Sequence, residues 1–342
     1  MKPSPLHKLA CLLAPVLILS ASCASPQPTK PVKTKKTVAF VANTTSDFWR
    51  IARKGCEKAD AELTDVDVSY KAPSTGTAKE QDKIIRDAVE KSDVDAIALS
   101  PADPAAQKKL INEMAKRVLV ITQDSDAPDT DRALYLGADN RAAGRQAGEL
   151  VKKALPQGGK IMVFVGKKEA QNAQDRFEGL KEALQGSKVE VIDLLTDDND
   201  HIKAKDNAVE TLEKYPDIAG MVGLWSYNGP AILTAVRNAK KAGKVKIVCF
   251  DEEQATLDGI KDGAVFGTVV QQPFEYGYQA VQVMAKILKG DKSVIPESKK
   301  ILIPTVVVQK NNLEDFRAKM NQMLEGAGSA SPAPSAKPAA KS

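Results

Sequence analysis

The sequence predicts an α/β protein with two doubly wound domains, each built on a parallel sheet. From residue 37 onward, short runs rich in β-branched residues alternate with longer amphipathic segments. Most of the short runs are apolar at nearly every position, which is typical of strands buried on both faces of a parallel sheet. The alternation with helices predicts repeated βαβ units.

Eleven segments have the composition of strands, at residues 37–42, 66–70, 94–100, 118–122, 133–137, 160–166, 188–193, 219–224, 245–250, 265–270 and 305–308. Helical segments lie between most of them, for example at residues 47–63, 78–90, 104–116, 140–155, 174–185, 201–215, 229–242 and 274–289. About ten strands are accommodated more easily as two sheets of five or six strands than as one open sheet. We therefore expect two similar domains with a cleft between them.

The composition is that of a folded protein of two domains. The chain has 342 residues, of which 43% are hydrophobic, and a typical domain has about 100 to 200 residues. The net charge is +5, but residues 1–22, 24–37 and 326–342 hold eight of the 49 basic residues and none of the 44 acidic ones. The rest of the chain is therefore slightly acidic, which argues against a surface that binds nucleic acid.

The N-terminus has the pattern of a secretory signal peptide over residues 1–22. Lys2 and Lys8 precede an eleven-residue apolar run, too short to span a bilayer, and small residues follow it. Cys23 comes next, in a context similar to the acylation site of bacterial lipoproteins, although Ser20 replaces the usual leucine. A plain signal peptide with an incidental cysteine is the alternative. We expect a lipidated, extended tether at residues 23–36 and a disordered tail at residues 326–342.

Two cysteines remain in the folded part, Cys56 in a predicted helix and Cys249 in a predicted strand. We expect two buried thiols rather than a disulfide, because nothing in the sequence places the two residues close together. After removal of the signal peptide, His201 is the single histidine. The sequence therefore supports no zinc site, and we expect no metal and no cofactor.

Polar and aromatic residues recur directly after the predicted strands, where ligands bind in an open parallel sheet. These residues are Asn43, Ser46, Phe48, Trp49, Asp124, Ser125, Asn172, Arg176, Asn199, Trp225, Tyr227, Asn228, Asp251 and Gln271. Carboxylates and amides suit a neutral polyhydroxylated ligand, and an aromatic face stacks on the C–H face of a small ring. Each Asp or Asn, taken alone, could instead be a cap or turn residue, and Trp49 could instead complete the hydrophobic core.

The sequence gives little support to catalysis. It contains no phosphate-binding loop, no dinucleotide fingerprint and no serine-nucleophile elbow. His201 follows Asp200 at a predicted helix start, where a capping role is expected rather than that of a catalytic base. Asp124 and Asp251 would suit a glycosidase, but nothing distinguishes an acid from a nucleophile between them. We therefore expect no enzymatic activity.

Several segments together resemble the periplasmic ribose-type sugar-binding proteins of ABC importers. They are residues 37–56 with Phe48 and Trp49, residues 120–124, residues 137–140 with Gly144, and residues 177–179, 248–251 and 270–273. The resemblance covers roughly residues 37–310. The order and spacing of the segments are more specific than any one of them.

The resemblance implies a type I fold in which three hinge segments join two lobes, one of residues 37–138 and 272–302, the other of residues 139–271 and 303–325. The family's ligand contacts match Asn43, Phe48, Trp49, Asp124, Asp251 and Gln271 by position, and more weakly Ser46, Gln174, Asn199, Tyr227 and Asn228. Ser125 replaces an arginine of the ribose binders, and Gln174 stands near a second expected arginine, with Arg176 two places on. The ligand is therefore open among pentoses, hexoses, inositol and related polyols.

The resemblance also implies a monomeric substrate-binding lipoprotein, held in the periplasm or at the cell surface by its lipid anchor. A sugar or polyol would bind between the lobes and favour their closure, and the closed form would deliver it to an ABC permease in the membrane. Two alternatives stay open: a sugar-sensing accessory protein of a chemoreceptor or sensor kinase, and binding of a nucleoside or autoinducer-like ligand. Sugar-responsive repressors share the fold but carry an N-terminal helix-turn-helix, which is not predicted here, so no nucleic-acid partner is expected.

Overall fold

The computed structural model describes Met1 and residues 33–328. The predicted signal peptide and the predicted acylation of Cys23 lie outside the described residues. So does the predicted tail from residue 329 onward. Its first three residues, 326–328, instead complete the last helix.

The described residues form twelve strands and ten helices. The strands are β1 (Lys36–Val41), β2 (Val66–Lys71), β3 (Ala96–Leu99), β4 (Leu119–Gln123), β5 (Tyr135–Gly137), β6 (Gly159–Val165), β7 (Val189–Thr196), β8 (Gly220–Gly223), β9 (Lys246–Phe250), β10 (Gly267–Val270), β11 (Lys300–Leu302) and β12 (Val306–Val308). The helices are α1 (Asp47–Glu62), α2 (Ala78–Glu90), α3 (Pro104–Ala115), α4 (Asn140–Ala154), α5 (Gln171–Leu184), α6 (His201–Lys214), α7 (Asn228–Asn238), α8 (Gln254–Asp262), α9 (Pro273–Leu288) and α10 (Leu313–Gly328).

The strands form two six-stranded sheets, ordered β11-β5-β4-β3-β1-β2 and β12-β10-β9-β8-β6-β7. Every neighbouring pair is parallel except β10 and β12, which run antiparallel. The predicted α/β fold with two doubly wound domains is thereby confirmed. Strand β11 was not predicted, because its three residues are too few to form an apolar run and its two end residues are exposed.

Each sheet carries helices on its faces and has its own core. We call the unit of β1–β5, β11, α1–α3 and α9 the first lobe, and the unit of β6–β10, β12, α4–α8 and α10 the second lobe. The chain passes between the lobes three times: after β5, after β10 and between β11 and β12. The carboxyl ends of the parallel strands in both lobes therefore meet at one cleft.

One pair of helices in each lobe packs with its backbones in direct contact. In the first lobe, a Cβ atom on Gly55 of α1 would collide with Phe274 O, and one on Gly277 of α9 would collide with Ala52 O. In the second lobe, a Cβ atom on Gly144 of α4 would collide with Arg176 O, and one on Gly179 of α5 would collide with Arg141 O. Each glycine thus permits a contact that any larger residue would prevent, and the contact fixes the position of the helices that enter the cleft.

Cys56 in α1 and Cys249 in β9 are both buried and free, which confirms the prediction of two buried thiols. Burial raises the pKa of Cys249 to about 12, so this thiol is unreactive at neutral pH. No helix within residues 33–328 is long and apolar enough to cross a membrane. Over the same residues, no cluster of three or more His, Cys, Asp or Glu side chains is arranged to hold a metal ion.

Candidate functional site

A cavity lies between the two lobes at the carboxyl ends of the strands. The space among its lining atoms is about 320 Å³, including the part open to solvent. Its lining residues are Asn43, Thr44, Ser46, Phe48, Trp49, Asp124, Asn172, Arg176, Trp225, Ser226, Tyr227, Asp251 and Gln271. Both lobes contribute, so the complete site exists only when the lobes are together.

The polar groups of the first lobe form a continuous hydrogen-bonded chain. Trp49 Nε1 donates to Asn43 Oδ1 at 3.1 Å, and Asn43 Nδ2 donates to Ser100 Oγ at 3.0 Å. Ser100 Oγ in turn donates to Asp124 Oδ2 at 2.8 Å. All four side chains are buried, so this half of the site is held rigidly before any ligand binds.

Two carboxylates occupy equivalent places in the two lobes. Asp124 follows β4 and Asp251 follows β9, each the fourth strand of its lobe along the chain, and both have left-handed backbones, with φ of 60° and 66°. Such conformations are uncommon for residues other than glycine and cluster at functional sites. Gln271 Nε2 donates to Asp251 Oδ1 at 2.9 Å, and Tyr276 Oη donates to Gln271 Oε1 at 3.1 Å.

Arg176 supplies the positive charge beside these carboxylates. Its side chain is fully buried: Nε donates to Asn140 Oδ1 at 2.9 Å, Nη1 donates to the carbonyl of Leu224 at 2.7 Å, and the guanidinium lies 4.5 Å from the centre of the Phe250 ring. Burial raises the pKa of Asp124 to about 6, against the opposing effect of the Arg176 charge. Burial likewise raises the pKa of Asp251, and Arg176 again opposes the shift.

Two pairs of aromatic rings border the cavity, one pair from each lobe. Phe48 and Trp49 make an edge contact with centroids 5.0 Å apart, and Trp225 and Tyr227 make one at 6.4 Å. Tyr227 is held by a 2.5 Å hydrogen bond from its hydroxyl to Asp197 Oδ1. The cavity therefore offers apolar ring surface on two sides, which suits the C–H faces of a sugar ring.

Three polar atoms of the cavity-lining side chains have no hydrogen-bond partner among the described residues. They are Asn172 Oδ1, Arg176 Nη2 and Trp225 Nε1, and all are buried. Buried polar groups are nearly always paired in folded proteins, so these three indicate groups that a ligand satisfies. All three belong to the second lobe, and together they offer two donors and one acceptor.

The lobes touch each other around the cavity. Asn172 Nδ2 donates to Asp124 Oδ2 at 3.3 Å, and Asn199 Nδ2 of the second lobe donates to the carbonyl of Gly76 in the first at 3.1 Å. At the mouth of the cleft, Glu253 of the second lobe shares a hydrogen bond with Asp47 of the first, and burial together with the Asp47 charge raises the pKa of Glu253 to about 7. The structure is thus a closed form with an acidic pair across its mouth.

Ten of the residues predicted from the sequence line the cavity: Asn43, Ser46, Phe48, Trp49, Asp124, Asn172, Arg176, Tyr227, Asp251 and Gln271. Trp225, which follows the same strand as Tyr227, lines it as well. Thr44 and Ser226 also line it but were not singled out, because small hydroxyl residues after a strand have no distinctive pattern.

Four other predicted residues do not line the cavity. Helix α5 begins at residue 171 rather than 174, so Asn172 and Arg176 share one face four residues apart while Gln174 points to solvent and bonds the carbonyl of Glu169. Ser125 is buried and accepts the backbone N–H of Asn172. Asn228 starts α7 and bonds Asp197 and the backbone N–H of Trp225, and Asn199 bonds Gly76 across the cleft.

Comparison with known proteins agrees with this geometry. The model of the periplasmic binding protein domain matches residues 38–292. The ribose import binding protein RbsB of Salmonella typhimurium is 27% identical over 297 residues, covering 84% of this chain and 94% of that protein. The structure of GanP, a glucose-galactose binding protein from Geobacillus stearothermophilus, matches with a TM-score of 0.76 at 28% identity and covers 82% of this chain and 99% of that one.

A second solved structure is that of an ABC transporter solute-binding protein from Burkholderia graminis in complex with D-arabinose. It matches with a TM-score of 0.76 at 27% identity, over 82% of this chain and 97% of that one. The domain model covers well over half of the chain, and the likeness extends through both lobes. The chain therefore belongs to the family of periplasmic binding proteins with the type I fold.

Proposed function

We propose that this protein is the substrate-binding component of an ABC-type sugar importer and binds a neutral monosaccharide or polyol between its lobes. The observation that carries the proposal is the cavity of about 320 Å³, lined by two buried carboxylates, a buried arginine and aromatic rings from both lobes. The relatives and structural neighbours named above bind ribose, glucose and galactose, or arabinose.

The chemistry of the lining favours hydroxyl groups. Ionised Asp124 and Asp251 accept hydrogen bonds and would repel an anionic ligand, while Arg176 would repel a cationic one. A polyol donates to the carboxylates and accepts from the guanidinium with the same hydroxyl groups. The relatives and structural neighbours bind monosaccharides, so pentoses, hexoses and inositols are the candidate ligands.

The mechanism is closure of the lobes around the ligand. A sugar that contacts both lobes has a higher affinity for the closed state and shifts the population toward it by that difference. The closed form then presents a defined pair of lobe surfaces to a permease. Binding and release require no change in the sugar, so we assign no catalytic role.

The expected site of attachment to the membrane is Cys23, with residues 24–36 as an extended tether. Such an anchor keeps the binding protein close to its permease. Expression in a bacterium fed radiolabelled palmitate tests this part: the label should enter the wild-type protein and be absent from Cys23→Ser. Incorporation into Cys23→Ser would contradict acylation at this residue.

The main test is a titration of the purified protein with D-ribose, D-allose, D-arabinose, D-xylose, D-glucose, D-galactose and myo-inositol. Trp49 and Trp225, the two tryptophans of the chain, both line the cavity, so binding should change the intrinsic fluorescence. One sugar should give a saturable response, and Asp124→Asn should weaken its binding by about 10- to 150-fold, because hydrogen bonds to charged groups contribute about 1.5 to 3 kcal/mol.

Asp129→Asn is the matched control, since Asp129 lies five residues further along the same loop and is exposed. It should bind the sugar as the wild-type protein does. No response to any of the sugars, in fluorescence or in melting temperature, would overturn the proposal of sugar binding while leaving the fold unaffected.

A further inference from the structure

The two tryptophans of the cavity differ in one respect: what their indole N–H groups bond. Trp49 Nε1 donates to Asn43 Oδ1 at 3.1 Å, within the first lobe. Trp225 Nε1 is buried and has no acceptor among residues 33–328. Both indole rings line the cavity, one from each lobe. The N–H of Trp49 is therefore paired within the protein, whereas that of Trp225 is unpaired.

The Trp225 side chain is held in place by its surroundings. The edge of its six-membered ring packs on Gly166, where a Cβ atom would collide with Cζ3 and Cε3. Its backbone N–H donates to Asn228 Oδ1 at 3.0 Å, and Asn228 Nδ2 bonds Asp197 Oδ2 at 2.9 Å. Because both the ring and the backbone are fixed, the indole does not turn to find another partner, and its N–H keeps one direction.

We propose that the Trp225 indole N–H donates a hydrogen bond to an oxygen of the bound sugar and so selects sugars that carry an oxygen at that position. The inference rests on the proposed function of sugar binding. An indole N–H is a donor only, so its partner must be an acceptor, here a hydroxyl oxygen of the sugar. A site built around a buried donor rejects an analogue that lacks the acceptor, because the donor is then left unpaired.

The neighbouring unpaired atoms define the rest of the selection. Arg176 Nη2 is a second donor and Asn172 Oδ1 an acceptor, and both lie in the same lobe as Trp225. The second lobe thus reads at least two ligand oxygens that accept and one ligand hydroxyl that donates. The preferred ligand is a sugar that carries a hydroxyl at each of these positions, and a deoxy sugar that lacks one of them binds more weakly.

The test combines Trp225→Phe with deoxy sugars in isothermal titration calorimetry. The probes are D-ribose, D-glucose and D-galactose, together with 2-deoxy-D-ribose, 1,5-anhydro-D-glucitol, 2-, 3- and 6-deoxy-D-glucose and 6-deoxy-D-galactose. Phenylalanine keeps an aromatic ring and removes the N–H. Trp225→Phe should weaken binding of the preferred sugar by about 5- to 30-fold. For the one deoxy sugar that lacks the partner oxygen, the variant and the wild-type protein should agree within about 2-fold.

Trp49→Phe is the matched control. The hydrogen bond that Trp49→Phe removes is made to Asn43 and not to the ligand. The substitution should therefore change affinity by the same factor for every sugar and deoxy sugar. Equal sensitivity of Trp225→Phe to all of the sugars would overturn the inference but not sugar binding. Failure of the wild-type protein to bind any of the probes would overturn the proposed function, and the inference with it.

A second measurement needs no substitution at Trp225. The chain has two tryptophans, so a ¹H–¹⁵N spectrum contains two indole signals, and Trp49→Phe assigns them. The preferred sugar should move the Trp225 indole proton downfield, as a new hydrogen bond does, and the matching deoxy sugar should not. An unchanged Trp225 signal in a saturated complex would overturn the inference even if Trp225→Phe failed to fold.

Discussion

The two lobes share one scaffold but supply different chemistry to the cleft. Both have six strands in equivalent order, and both place an aspartate with a left-handed backbone after the fourth strand. In the first lobe, the polar groups of Trp49, Asn43, Ser100 and Asp124 bond one another. In the second lobe, the cavity-lining side chains retain unpaired atoms.

This difference indicates that the two lobes contribute to binding in different ways. The first lobe presents a preorganised surface whose groups do not rearrange on binding, and preorganisation lowers the cost of association for any ligand. The second lobe carries the donors and the acceptor that only a suitable ligand satisfies. Substitutions in the first lobe should therefore change affinity for all sugars alike, whereas substitutions in the second should change their ranking.

The largest effect is expected at Arg176, which compensates the carboxylates of both lobes. Arg176→Met keeps the length of the side chain but leaves Asp124 and Asp251 buried without their positive neighbour. Together with the loss of the guanidinium's hydrogen bonds to Asn140 and to the carbonyl of Leu224, each worth about 1.5 to 3 kcal/mol for a charged donor, this should cost about 3 to 5 kcal/mol of stability. Chemical denaturation should show a loss of this size in the free energy of unfolding.

Arg145→Met is the control for this substitution, because Arg145 is exposed and pairs with Glu182 on the surface. Surface pairs contribute about 0 to 1 kcal/mol. If Arg176→Met and Arg145→Met had the same stability at neutral pH, the role of Arg176 as the shared counter-charge would be wrong.

An intermediate effect is expected at Ser100, which links Asn43 to Asp124 in the first lobe. Ser100→Ala leaves Asn43 Nδ2 without its acceptor and removes one of the two donors to Asp124 Oδ2. We expect affinity to fall by about 5- to 30-fold, and by the same factor for each sugar. Calorimetry with two sugars measures both the loss and its uniformity, and a change in the ranking of the sugars would contradict the proposed division between the lobes.

The smallest effect concerns pH, and it has two limbs. Sugar hydroxyls donate to ionised Asp124, whose pKa is raised to about 6 by burial, so affinity should fall as the pH drops through about 6. Protonated Glu253, whose pKa is raised to about 7 by burial and by Asp47, donates across the mouth and favours the closed form. Affinity should therefore also fall, by a few-fold, as the pH rises through about 7, and then level off.

Two variants separate these limbs. Asp124→Asn should remove the dependence on the acid side, and Glu253→Gln should remove that on the alkaline side, since glutamine donates at every pH. Affinity is measured between pH 5 and 8.5. An alkaline limb that persists in Glu253→Gln would show that another group titrates at closure.

The sequence was sufficient for the fold and for most of the cavity lining, because strand ends are visible in the apolar pattern. Asp124 and Asp251 follow buried runs and lie where parallel strands must bring them. The exceptions depend on local geometry that the pattern lacks. A helix start displaced by three residues turned Gln174 to solvent, and Asn228 bonds Asp197, a partner 31 residues away along the chain. The unpaired atoms of the second lobe emerge only from the packed structure.

The close helix contacts described above also bear on ancestry. Gly55 and Gly179 are each the ninth residue of the helix that follows the first strand of a lobe, and Gly144 and Gly277 are each the fifth residue of a helix that follows a crossing. A matched spacing of this kind is expected if the lobes descend from one duplicated ancestral unit. In such a lineage both lobes would have inherited the close helix contacts at these glycines. The cleft residues could then have diverged toward different ligands.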